Sequence, residues 1–309
     1  MVNRMLDRRI KLRHIEAFAA IARGGSLKAA CAELNLTQPA LSKTLRELEE
    51  VLEVRLMERD RGGARLTPEG RVFLEYAAMS LAALRRGVDG VGALRTGGSQ
   101  RLRVGTLPSV AARLMPATIA RFQPMAPDVL LTLRDGPHGQ LLQELRDGGL
   151  DLVIGRQGPP ATMQGVSFTQ LYVEHVVCVV RPGHPLLGRP LTAGMLEGWP
   201  VIYPPTRAAI RPLVDRWLIE QGAGPFASRV ESVSGAFGRN LASESDWVWI
   251  ISEGVVARDL SEGRLMRLGL DMSLTAGPVG LMARPDEASS RARQLFERAV
   301  LLAAREVAA

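Results

Sequence analysis

Between Leu12 and Leu94 the apolar residues recur at helical spacing, and from Arg101 onward they gather into short strand-like runs separated by helical stretches. In LRHIEAFAAIA, the residues Leu12, Ile15, Phe18, Ala19 and Ala22 predict one face of a first helix, which Gly24-Gly25 ends. Ser26 is placed to cap SLKAACAEL, whose apolar stripe is Leu27, Ala30, Cys31 and Leu34, with Asn35 as its stop. A third helix is predicted to begin at Thr37, whose hydroxyl would accept from an early backbone N–H. Pro39 is tolerated there because first-turn N–H groups have no helical partner. Leu41, Leu45, Leu48 and Leu52 supply its buried face, while Gln38, Ser42, Lys43 and Arg46 run along another side.

RLMERDRGGARLTPEG predicts two short strands, Arg55–Arg59 and Ala64–Thr67, around a turn at Asp60–Gly63. Thr67-Pro68-Glu69 then signals a new helix by cap, proline and first-turn acid. That helix is predicted to reach about Leu94, with Leu74, Leu81, Leu84, Val88 and Val91 near heptad spacing. Such a stripe packs on its own domain or on a second copy. Gly87, Gly90 and Gly92 weaken its end, and RTGGSQ (95–100) reads as a hinge. Beyond it, LRVGTL, VLLTLRDG, LDLVIGR, VVCVVR, PVIYPP and VWIIS are strand-like. Helical stretches such as GQLLQELRDG lie between them, the signature of an α/β domain with mostly parallel sheet. Its length suggests two linked subdomains.

Charge changes the picture at the amino-terminal end. The chain of 309 residues has a formal net charge of +7. Residues 1–65 hold 13 Lys and Arg against 9 Asp and Glu, an excess of +4. A basic terminal segment fits a nucleic-acid footprint, although a merely solvated basic face has the same composition. Cys31 and Cys178 show neither metal spacing nor a disulfide framework, and read as buried free thiols in a reducing cytoplasm. MVNRMLDRRIKLRH has no signal-peptide core, and no long apolar run predicts a membrane span. A cytoplasmic protein with no membrane partner is expected.

Three helices followed by a basic hairpin match a winged helix-turn-helix. Its third helix presents short polar side chains near its start to the edges of bases in the major groove. Gln38 would bond adenine in a bidentate way, and Lys43 or Arg46 would reach guanine or phosphate. Arg59, Arg61 and Arg65 would lie on the neighbouring backbone or minor groove. The plainer alternative is that Gln38, Ser42 and Lys43 form the wet face of a bundle helix. The chemistry of enzymes finds little support. GALRTGG lacks the spacing and Lys-Ser/Thr of a phosphate loop, and GVSFTQ and ASESDW lack a G-x-S-x-G elbow. His14, His138, His175 and His184 are scattered without ligand spacing. No catalytic residue, metal or cofactor is assigned.

The segment from Leu12 to Gly70 resembles the DNA-binding region of the LysR-type transcriptional regulators. The resemblance is carried by Phe18, Gly25-Ser26, Ala29-Ala30, Leu34, Thr37-Gln38-Pro39-Ala40-Leu41-Ser42, Leu48-Glu49 and Leu66-Thr67-Pro68-Glu69-Gly70. It implies DNA contacts by Ser26, Thr37, Gln38, Pro39, Ser42 and Lys43. Thr37 stands where serine is commoner, and Lys43 stands where arginine is common, without arginine's planar fork. The remaining chain is similar to the family's effector domain, which resembles type 2 periplasmic binding proteins. LRVGTLPSVAARLMP, LLQELRDGGLDLVIGR, VRPGHPLL and DWVWIISEGVVARDLSEGRLMRL carry that likeness.

The implied fold is multidomain α/β. A winged helix-turn-helix domain occupies 1–67, a linker helix and hinge 68–100, and a two-subdomain α/β effector domain 101–309. Subdomain I covers about 101–172 and 273–309, and subdomain II about 173–272. RVGTLPSV, GVSFTQLY and RPGHPLL are similar to the branch that regulates protocatechuate catabolism and a sugar-binding protein gene.

Ligands of open α/β sheets bind beyond the carboxyl ends of strands, at helix N-termini that favour anions. That rule places a small-molecule effector, an organic anion, at Thr106, Pro108 and Ser109, and the branch resemblance implies an aromatic-catabolism intermediate. Pro137 and His138 follow the second strand, and Tyr203, Thr206 and Arg207 a later one. His138 would charge near an anion, or be simply an exposed loop histidine. Arg207 would clamp a carboxylate, though Arg156 or Arg211 would serve as well. The resemblance also implies a homodimer or homotetramer joined through 68–94, double-stranded promoter DNA as partner, and RNA polymerase. Two other readings stay open: a small-molecule binding protein whose first helices serve oligomerisation, and a sugar-responsive regulator.

Overall fold

The computed structural model describes residues 7–60, 63–96, 100–224, 226–285 and 289–308. It divides into two units, one built on the chain up to Thr96 with Arg146–Gly149, the other on the rest.

The first unit begins with α1 (Leu12–Gly24), α2 (Leu27–Leu34) and α3 (Gln38–Leu52). Gly25 ends α1 in the left-handed conformation, at φ 63°, where a side chain is disfavoured. Ser26 caps α2 by accepting from the Ala29 N–H at 3.2 Å. Phe18, Ile21, Leu41, Leu45, Leu48 and Leu56 make the core. The apolar face of α1 is rotated from the predicted one. Leu12 is exposed, and His14 is buried instead, because its ring accepts from the Lys11 N–H and meets Glu47 of α3 at 3.3 Å. Cys31 is only half-buried, unlike Cys178.

The hairpin is β1 (Met57–Asp60) and β2 (Gly63–Leu66), with Met57 opposite Leu66. Its first strand starts two residues later than predicted, since the backbone leading into it is already engaged. Glu49, buried on α3, accepts from the N–H groups of Leu56 and Met57 at 2.8 and 3.1 Å. The carbonyl of Arg55 accepts from the Thr67 hydroxyl, which in turn caps the next helix through the Gly70 N–H. That helix is α4 (Pro68–Thr96), 29 residues long. Ala77, Ala78, Leu81 and Ala82 are buried, whereas Leu84, Val88 and Val91 are 52, 72 and 58 % exposed. Val72 and Tyr76 are likewise exposed.

The second unit opens with β3 (Gln100–Thr106), α5 (Pro108–Arg113), α6 (Met115–Met125), β4 (Val129–Asp135), α7 (His138–Arg146), β5 (Leu152–Arg156) and β6 (Ser167–Glu174). It continues through β7 (Val176–Val180), β8 (Val201–Tyr203), α8 (Arg211–Glu220), β9 (Arg229–Glu231) and α9 (Gly235–Glu244). Then come β10 (Val248–Ser252), α10 (Glu253–Ser261), β11 (Met266–Arg267), β12 (Gly277–Ala283) and α11 (Arg291–Ala308). Two mixed sheets result, ordered β4-β3-β5-β12-β6 and β11-β7-β10-β8-β9. The chain passes from the first sheet to the second at His175 and returns just before Gly277.

Each sheet is covered on both faces, so its central strands are apolar along most of their length. β5, β7 and β10 are buried at every residue, which explains their unbroken rather than alternating sequence pattern. The two cores are separate. Trp249 and Trp217 anchor the second, while Phe122 and Phe296 meet edge-on at 5.2 Å in the first. Gly238 of α9 lies flat on Trp249, where an added Cβ would stand 2.3 Å from the indole.

Candidate nucleic-acid interface and ligand cleft

The start of α3 is an outward-facing polar surface. Gln38, Pro39, Ala40, Lys43 and Arg46 are exposed, with Gln38 and Pro39 in the first turn. Thr37 is the N-cap by backbone, but its hydroxyl makes no cap hydrogen bond, contrary to the prediction. Pro39 removes one of the first-turn N–H groups that such a cap serves. Ser42 is also placed differently. It is 7 % exposed: it stands between the exposed Gln38 and Arg46 on one i, i+4 row, but it is also three and seven residues from the buried Leu45 and Glu49, at the edge of the buried face. Lys43 extends into solvent, its Nζ 4.0 Å from Glu47. Arg65 is exposed on β2, and Ser26 is half-buried at the start of α2. Arg59 lies on β1, but its side chain, and Arg61 altogether, fall outside the described residues.

The second unit contains a cavity of about 670 Å³. Its walls are the turns that leave the carboxyl ends of β3, β4, β8, β9 and β10, together with the end of β5. Helices α5, α7, α9 and α10 all begin there, so their positive dipole ends converge on one space, with the first N–H groups of α10 taken by the His175 carbonyl and the Glu174 carboxylate. Pro108, Ser109, Pro137, His138, Arg156 and Arg207 line it as the sequence suggested. Apolar contacts come from Leu107, Pro205, Ile210, Val233, Ile251 and Val255. Ser232, Ser234 and Ser252 add hydroxyls that sequence reasoning missed. The available signal was a strand-to-helix turn rich in serine, ESVSGA, the same cue that found Pro108-Ser109.

Several candidates sit elsewhere or in other roles. Thr106 is buried within β3 and does not reach the cavity. Tyr203 is buried too, its hydroxyl donating to Asp215 at 2.6 Å and its ring under Arg211 at 4.6 Å. Thr206 is exposed but not on the cavity wall. Arg211 is committed to Asp215, at 2.8 and 2.9 Å, and to the Pro204 carbonyl, which removes it as a ligand clamp. His138 is not an exposed loop histidine. It is the first residue of α7 and 7 % exposed, with Gly158 so close that a Cβ there would stand 2.5 Å from Nε2.

The two cleft arginines differ in state. Arg156 is 4 % exposed, bonded to the Glu174 and Thr275 carbonyls and 3.7 Å from the Glu174 carboxylate, so its charge is already countered. Arg207 is exposed and makes no hydrogen bond or ion pair among the described residues. A carboxylate would find its bidentate partner there. No His, Cys, Asp or Glu cluster among the described residues is placed to hold a metal ion. Burial pushes the Cys178 thiol up to about 12, leaving it unreactive. No helix among the described residues is long and apolar enough to cross a membrane.

Residues 12–71 match the model of the bacterial regulatory helix-turn-helix proteins of the lysR family, and residues 95–303 match the LysR substrate binding domain. The chain belongs to the LysR family of transcriptional regulators. It is 42 % identical over 304 residues to the HTH-type transcriptional regulator PcaQ of Agrobacterium fabrum, covering 98 % of both chains. It is 35 % identical over 298 residues to the regulator YdcI of Escherichia coli, covering 96 % of this chain and 97 % of the relative. Its fold is that of full-length CbnR in complex with target DNA, with TM-score 0.56, 21 % identity, and coverage of 95 and 100 %. This LysR-type chain is therefore a DNA-binding regulator that answers to a small-molecule effector, and its relatives are regulators rather than enzymes.

Proposed function

We propose that this regulator reads its operator with Gln38, Pro39, Lys43 and Arg46 and senses an organic anion in the cleft between its two sheets. Ser26, Thr37, Arg59, Arg61 and Arg65 would hold neighbouring phosphates, and Ser42 would support the helix from its buried row. The observation that carries the sensing role is the convergence of four helix N-termini and the free Arg207 on one largely apolar cavity. An apolar body with an acidic group is the ligand that such walls hold best. Likeness to PcaQ along nearly the whole chain supports the branch named from the sequence.

The chain is read as a DNA-binding domain at 1–67, a linker at 68–100 and an effector domain at 101–309. The exposed Val72, Tyr76, Leu84, Val88 and Val91 of α4 support a homodimer or homotetramer joined along that helix. Work in the cytoplasm and contact with RNA polymerase accompany this reading. An effector acts only through a difference in affinity between two arrangements of the protein.

The test has two arms. Gel shifts with DNA upstream of neighbouring genes should show binding that weakens steeply with salt. Arg207→Ala should keep that binding and lose about tenfold or more of the effector's potency in a reporter assay, as loss of a charge-assisted pair implies. Unchanged potency would place the anion elsewhere.

A further inference from the structure

Behind the floor of the cleft lies a buried ion pair around which the packing is built. Arg156, at the end of β5, donates from Nη2 to the Glu174 carbonyl at 3.0 Å and from Nη1 to the Thr275 carbonyl at 3.2 Å. These two carbonyls belong to the two segments that join the sheets. The carboxylate of Glu174, 2 % exposed, accepts from the Gly254 N–H at the start of α10, at 3.2 Å, and lies beside Ser109. A Cβ on Gly254 would stand 2.4 Å from that carboxylate, and one on Gly277 would stand 2.3 Å from the Arg156 guanidinium. Arg156 Nε, Glu174 Oε2 and the Tyr172 hydroxyl are buried without a hydrogen-bond partner among the described residues. Arg156 and Ser109 line the cavity, and Glu174 touches both from behind.

We propose that Glu174 is a specificity-determining residue of the cleft: it fills the anion position of Arg156 and closes the floor to an acidic ligand group while it is ionised. The ligand's acid is then taken at Arg207, on the second-sheet wall, and a neutral group lies at the floor. Neutralising Glu174, with a proton or as glutamine, frees Arg156 to receive a ligand carboxylate. The groups facing Glu174 are Arg156 from β5, Arg113 and Ser109 from α5, Tyr172 on its own strand, and the first N–H of α10. Burial holds its carboxyl above the ordinary range, ahead of the opposing pull of Arg156.

This role of Glu174 rests on the cavity being the effector site, but its test needs no effector. Benzoate, a single carboxylate on an apolar ring, is titrated onto the full-length protein and its Glu174→Gln variant by calorimetry. The variant should bind about tenfold tighter at neutral pH, the equivalent of one pKa unit of repulsion removed. The unsubstituted protein should approach the variant as the pH falls, whereas pH dependence that remains in the variant reports the other titratable groups of the wall, Asp135 and His138. Equal benzoate affinity in the two proteins, including no measurable binding to either, overturns the proposal. If the glutamine variant does not fold, the unsubstituted protein decides alone: benzoate affinity that does not rise on acidification overturns it. The effector reading fails separately, through an Arg207→Ala variant of undiminished response.

Discussion

At the scale of single residues, the neighbours of a charge decide what it can do. Lys43 is free to leave Glu47, because an exposed pair at 4.0 Å holds little energy, and Glu47 has His14 and Arg13 as further partners. Replacing Lys43 with alanine should therefore weaken DNA binding evenly across sequences and lower its salt slope by about one. Gln38→Ala should instead cost about 1–3 kcal/mol at one position of the operator and relax base preference there. Binding measured on a library of operator variants at two salt concentrations separates the outcomes. A Gln38 variant that kept its full base preference would falsify the placing of α3 in the groove.

The residue scale is also where the sequence was least legible. Arg156 and Arg207 look alike in a string of letters, yet one is countered by Glu174 and the other is free. Glu174 comes from β6 and Arg156 from β5, and the covering N–H belongs to Gly254. Only folding brings the three together. A lone acid at the edge of the apolar run VVCVV was the available hint.

At the scale of elements, periodicity served well wherever one face meets a core. The cap at Ser26, the proline turn of α3 and the start of α4 at Thr67 all follow from local chemistry that sequence displays. The hairpin slipped because Glu49 takes the N–H groups of Leu56 and Met57, a tertiary contact that no strand pattern reveals. Ser42, expected on the wet face, is buried, and His14 is buried where Leu12 was expected to be: packing against neighbouring elements, not the polarity of a residue, decides its burial. The stripe on α4 gives a test at this scale. Val88→Asp, at a position 72 % exposed within its own unit, should leave the fold intact and shift the protein to a smaller assembly. Light scattering coupled to size exclusion reads the change, and an unaltered mass would exclude this face from the contact.

At the scale of the whole molecule, the buried pair couples stability to pH. The carboxyl of Glu174 lies above its ordinary value of 4.5, with burial as the largest cause. An acid raised in the folded state holds its proton more tightly there than in the unfolded chain. Its contribution is complete below 4.5 and is lost as pH climbs through the folded value. The unsubstituted protein should therefore lose stability relative to Glu174→Gln as pH rises from 4.5 towards neutrality. Urea midpoints of the two proteins compared across that range check the sign, and a constant difference would show that the carboxyl is not raised.

The order of strands in the first sheet bears on how the chain is made. β12 lies between β5 and β6, so the sheet has a gap until residues beyond Gly277 exist. All five strands of the other sheet lie within one stretch, from Val176 to Arg267. During synthesis that sheet can complete itself while the first waits, the edge of β5 open and β6 unpaired, for a strand that emerges about a hundred residues later. A chain truncated after Ala276 should accordingly keep β7 and β10 protected from hydrogen exchange and leave β6 unprotected. The protein that senses a ligand between two sheets would then acquire them in the reverse of their order along the chain.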